Sequence, residues 1–85
     1  MDNKAKRLLL DYILETIDMA DLPEGFEIFI VWKCKVLQNC KYLLCTNLPD
    51  QKYYELTYDG DKHRWYLDEY EKKVNRVIPD YGPAN

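Results

Sequence analysis

The chain is poor in the residues that most catalytic and metal centres require. It has one histidine, three cysteines and three glycines in 85 residues. It contains no CxxC knuckle, no Gly-rich phosphate loop and no cofactor fingerprint, and no nucleophile stands at a recognisable spacing from a base. These absences exclude the commonest enzyme signatures, so a non-enzymatic protein without cofactor or metal is expected. An odd cysteine count does not suit a secreted disulfide framework, and reduced thiols are the plainer reading. Long apolar runs are missing as well. Residues 1–20, MDNKAKRLLLDYILETIDMA, carry charges throughout, with neither a signal-peptide core nor a bilayer-length span. A cytoplasmic protein with no membrane partner follows as the expectation. Internal repeats and low-complexity segments are absent too.

What is present suits a small globular domain. The composition is 47% hydrophobic with eight tyrosines, enough to make wholesale disorder a poor reading. A chain of 85 residues buries only about 60–65% of its unfolded surface, so one thin core is expected. The formal net charge of −3 does not draw the molecule as a whole to nucleic acid or anionic lipid.

Residues 3–20 have helical periodicity. Leu9, Ile13, Ile17 and Ala20 form a stripe, Lys4, Arg7, Asp11, Glu15 and Asp18 lie opposite, and Asp2 or Asn3 can cap the start. The charges run against the macrodipole, with Lys4, Lys6 and Arg7 at the positive end and Asp18 and Asp21 at the negative one. Such a helix must be held by packing. Leu22-Pro23-Glu24-Gly25 ends it and turns the chain.

Residues 26–67 read as four short antiparallel strands, from their period-two alternation, their β-branched and aromatic content and their turn residues. At the first hairpin a three-residue loop, Leu37-Gln38-Asn39, keeps the apolar face apolar. It sets Val36 against Cys40, Cys34 against Tyr42 and Trp32 against Leu44. Asn47-Leu48-Pro49-Asp50 makes the second turn. Asp59-Gly60 signals a two-residue hairpin turn that pairs Tyr54 with Trp65, Glu55 with Arg64 and Leu56 with His63. Asp68-Glu69-Tyr70-Glu71 resembles a capping box and predicts a short helix at 69–76, with continued strand as the alternative. The expected fold is therefore α+β: a four-stranded antiparallel meander, an N-terminal helix packed on one face and a short C-terminal helix. One domain would span 1–78, and 79–85 would be a frayed tail.

On this register Trp32, Cys34, Leu44, Tyr54, Leu56 and Trp65 form the core face. Cys34, Cys40, Cys45 and His63 cannot converge on zinc, because Cys45 points away from the other two cysteines. Cys34 and Cys40, as diagonal neighbours about 7–8 Å apart, lie beyond disulfide reach. The opposite face gathers Lys33, Lys35, Lys41, Lys62 and Arg64 beside Phe29, Tyr53 and Tyr66, opposed only by Glu27 and Glu55. Lys33, Lys35, Lys41, Tyr53, Lys62, Arg64 and Tyr66 are accordingly the candidate binding residues. Cations among aromatics on an open sheet can stack single-stranded bases, can meet an acidic protein, or can simply keep a solvated face soluble. An oligomeric sponge for a signalling nucleotide is a further reading of the same surface. Leu8 and Leu14 extend the apolar surface of the helix beyond one stripe, which offers either a deep groove against the sheet or a homodimer contact.

The segment from Val31 to Lys41 (VWKCKVLQNCK) and the segment from Tyr53 to Lys62 (YYELTYDGDK) together resemble a family of small uncharacterised proteins from phages and prophages of Gram-positive bacteria. The matching patterns are VWxxKxLQNxK and YYExTxxGDK. Cys40 stands where that pattern places a bulky aromatic. The resemblance implies a phage accessory protein made in the cytoplasm of a bacterial host. By association with small acidic phage proteins, it implies one that binds and inhibits a host or anti-phage defence protein.

Overall fold

A computed structural model of the chain describes residues 1–80. It contains helix α1 (Asp2–Ile13), a short 3-10 helix (Met19–Asp21) and strands β1 (Ile28–Val36), β2 (Asn39–Thr46), β3 (Tyr53–Asp59) and β4 (Arg64–Tyr70). The strands form one antiparallel sheet in the order β1-β2-β3-β4, the expected meander. The alternation of β-branched and aromatic residues along 26–67 therefore builds strands, as its period requires.

One face of the sheet meets the helix. Ala5, Leu9 and Ile13 share a buried cluster with Cys40, Tyr42 and Leu44 of β2 and Tyr54 and Leu56 of β3. Leu8, Tyr12, Ile17, Phe26, Ile28, Ile30, Trp65 and Leu67 close around it, half-buried. The cluster holds no buried polar or charged residue. Two polar latches tie the helix ends to the sheet. At the first, Asp2 accepts hydrogen bonds from Lys33 Nζ at 2.9 Å and from Tyr42 Oη at 3.0 Å. At the second, Tyr12 Oη donates to Glu69 at 2.9 Å, and Lys52 Nζ reaches the same carboxylate at 3.0 Å.

Several expectations are corrected. The helix ends at Ile13 rather than at residue 20. Glu15 and Thr16 then bond back three residues, to the carbonyls of Tyr12 and Ile13, which is a tightening turn. Acidic Glu15 and Asp18 and β-branched Thr16 and Ile17 give the chain little reason to continue the helix there. Asp2 does not cap it, because its carboxylate is taken by Lys33 and Tyr42. Residues 69–76 are not helical: β4 continues to Tyr70, and 71–80 have no regular structure. Glu69 sits opposite Tyr54 in the ladder and bonds Tyr12 and Lys52, so it is unavailable as part of a capping box. From residue 81 on, the expected frayed tail lies outside the described residues.

Both outer hairpins differ in register. The first turn is Leu37-Gln38, with Leu37 at φ 56°, so Val36 opposes Asn39, Cys34 opposes Lys41 and Trp32 opposes Leu43. The register then shifts between Ile30 and Trp32, where Val31 is the extra residue of a bulge. The last hairpin closes with four residues, Gly60–His63, pairing Asp59 with Arg64, Tyr58 with Trp65 and Leu56 with Leu67. Asp59 Oδ1 holds this turn by accepting from the amides of Asp61 and Lys62 at 3.0 and 3.2 Å. The longer loop brings Trp65 within 5.0 Å of Tyr58, ring centre to ring centre, and seats Leu67 against the core. The shift at this hairpin is even, so inward residues stay inward.

Candidate interaction surface

The bulge at Val31 decides which side chains share the open face. Before it, Ile28 and Ile30 face the helix side as partners of Thr46 and Leu44. After it, Lys35 and Lys33 take that side, opposite buried Cys40 and Tyr42. Trp32, Cys34 and Val36 are turned outward. The placement of Trp32 and Cys34 in the core is thus overturned: Trp32 is 51% exposed, and Cys34 is exposed too. Cys40 is buried and Cys45 lies on the open face, and all three cysteines are free thiols.

The seven predicted binding residues divide accordingly. Lys41, Tyr53, Arg64 and Tyr66 lie on the open face by their register. Lys33 and Lys35 lie on the helix side, where Lys33 pairs with Asp2 and both line an open cavity of about 610 Å³ beside Met1, Gln38 and Tyr42. Lys62 belongs to the β3–β4 loop. Lys41 lies 3.5 Å from Glu55, and that carboxylate, not one facing Arg64, completes the pair. Lys41 and Arg64 are offset on this face by Glu55, Asp59 and Asp68. The basic surface expected from alternation is therefore a nearly neutral one.

In its place the open face is aromatic and aliphatic. Phe29 and Trp32 from β1, Leu43 from β2, Tyr53 from β3, and Tyr66 and Tyr70 from β4 share it, with all but Leu43 among the exposed large apolar side chains. Sequence reasoning missed Trp32 and Tyr70. Trp32 sits in an unbroken apolar run, Ile28–Trp32, that fits either parity, and Tyr70 was assigned to a helix. A contiguous exposed apolar surface of this kind marks a docking site more often than a solvated face.

Both latches shift the groups in them. Hydrogen bonds from Lys33 and Tyr42 hold the Asp2 carboxyl below its ordinary value. Burial, with the Asp2 carboxylate as acceptor, pushes Tyr42 up to about 12. Hydrogen bonds from Lys52 and Tyr12 lower Glu69, and the same contacts raise Lys52 and Tyr12. Each shift follows from a structural contact. Among the described residues, no group of His, Cys, Asp and Glu is arranged to hold a metal ion. No helix among them is long and apolar enough to cross a membrane.

Residues 2–80 match the family model described as a family of unknown function, DUF6275. No curated protein and no solved structure matches the chain. The match covers nearly the whole sequence, and the chain belongs to DUF6275.

Proposed function

We propose that this DUF6275 protein is a non-enzymatic accessory protein of phage or prophage origin, made in the cytoplasm of a Gram-positive host, that acts by binding another protein through its open sheet face. The target is a host or anti-phage defence protein, which the binding inhibits. One observation carries the binding reading: Phe29, Trp32, Tyr53, Tyr66 and Tyr70 lie exposed together on a nearly charge-neutral sheet. Aromatic anchors of this sort supply most of the energy in protein interfaces. The phage context rests on the VWKCKVLQNCK and YYELTYDGDK segments.

The nucleic-acid reading loses its support with the register. Lys33, Lys35 and Lys62 leave the open face, and Lys41 and Arg64 face Glu55 and Asp59. Phosphate binding needs uncompensated cations. The signalling-nucleotide sponge loses the same lysines.

The test is affinity capture from a Gram-positive host lysate, with wild type compared against Trp32→Lys with Tyr66→Lys. A specific protein retained by wild type, lost by the face variant and kept by Arg7→Glu on the helix supports the reading. Identical capture by all three sinks it.

A further inference from the structure

The protomer is more open than its length requires. Its Cα radius of gyration is 16.1 Å, against about 12 Å for a compact chain of this size. Its accessible surface is 6893 Å², against about 5,300 Å² for a compact monomer. The surplus, about 1,600 Å², exceeds the roughly 800 Å² that each partner contributes to a stable complex.

Two features among the described residues contribute to it. One is the open face of the sheet. The other is the segment 71–80 that follows β4, whose Val74, Val77 and Ile78 are 71%, 88% and 80% exposed. This arm leaves the sheet at Tyr70, itself on the open face, and Lys72 hydrogen-bonds Gln51 beside Tyr53 and Cys45. The arm carries Lys72, Lys73 and Arg76 against Glu71 and Asp80, so it is net basic, while the remainder of the chain is net acidic. Arm and body thus carry opposite net charge, and both expose apolar surface.

We infer that the occupant of the open face is a second copy of this chain. Two sheets stack face to face about 10 Å apart, with the 71–80 arm of each protomer adding Val74, Val77 and Ile78 to the shared core. This rests on the reading of that face as a binding surface and adds its regulation. The free protein is a homodimer, and a target that needs the same aromatic residues must compete with the second copy. Target binding and dimerisation are then mutually exclusive.

Sedimentation equilibrium on the full chain tests this. Wild type is expected to be a dimer at micromolar concentration. Trp32→Lys with Tyr66→Lys, and independently Tyr53→Lys with Tyr70→Lys, should raise the dimer dissociation constant at least about 30-fold, since each pair places charge in an apolar contact. Truncation after Tyr70 should weaken it by at least about 10-fold, and Leu37→Ser, at an exposed turn residue off the sheet face, should change nothing. Circular dichroism confirms that each variant is folded, and with two independent pairs the failure of one to fold leaves the other decisive. A monomeric wild type overturns the inference, as does a dimer that both folded face variants preserve. A monomer whose target capture still depends on Trp32 and Tyr66 would fail this inference alone. A face-dependent dimer with unaltered target capture would fail the functional reading, and with it the competition, while upholding the dimer.

Discussion

A methyl group added at Gly60 would land on the backbone carbonyl of Gln38 and within 2.7 Å of its Cβ. The two hairpin tips meet there: Gly60 N donates to Asn39 Oδ1 at 2.9 Å, and Gln38 bonds Asp61. Backbone cannot give way as a flexible side chain can, so Gly60→Ala is expected to cost about 1–3 kcal/mol by overpacking, read as a lower urea midpoint at unchanged slope. Among side chains, the latch residues set the pH response. Asp2 and Glu69 are held below their ordinary values of 3.8 and 4.5. A carboxyl lowered by folding adds stability above its unfolded value, and that stability is lost as pH falls through the folded one. Stability should therefore decline below about pH 4.5, and Asp2→Asn with Glu69→Gln should flatten that acid limb. Tyr42 is raised from 10.0 to about 12. Its contribution is complete below pH 10.0 and disappears as pH rises towards 12, with Tyr12 and Tyr54 shifted in the same direction. Tyr42→Phe should shallow the alkaline limb of a urea midpoint against pH series.

Among the elements, β1 decides which side chains the open face carries. Its apolar run Ile28–Trp32 would satisfy the core in either parity, and Val31 resolves the choice by standing outside the ladder. Deleting Val31 leaves Ile30 opposite Leu44 and Trp32 opposite Leu43, so the deletion is expected to fold with its faces unchanged, at a cost of no more than about 2 kcal/mol. Cross-strand nuclear Overhauser contacts between Lys33 and Tyr42 would report the retained register. Their replacement by contacts between Trp32 and Tyr42 would show that the bulge does not set the faces. Much at this scale was legible beforehand: four strands, their order and a helix beginning at the N-terminus. The hairpin loops were not. Leu37 adopts a left-handed conformation that its side chain gives no reason to expect. Asp59-Gly60, a strong two-residue turn signal, was overridden by the burial that Leu67 and Trp65 gain from a four-residue loop.

For the molecule as a whole, the distribution of charge decides between partners. The sheet face pairs Lys41 with Glu55 and sets Arg64 opposite Asp59, while Lys33 is drawn to the helix by Asp2. A titration with single-stranded DNA and RNA at two salt concentrations is therefore expected to show no affinity that falls steeply with salt. Tight, salt-sensitive binding would restore the nucleic-acid reading. The aromatic content of the face, by contrast, persists at any salt, as apolar docking requires.

By itself the sequence determined that this protein is a small α+β domain with one meandering sheet, because period-two alternation and turn residues are local signals. It also determined the absence of catalytic and metal-binding motifs. Only the tertiary structure decided which side chains the open face carries. A one-residue bulge inverts every side chain beyond it, and the helix latch at Asp2 and Tyr42 offers Lys33 a partner on the inverted side. Where local pattern permits two parities, packing across the sheet selects one. Here it moved Lys33 and Lys35 from the open face to the helix side and placed Trp32 on the open face.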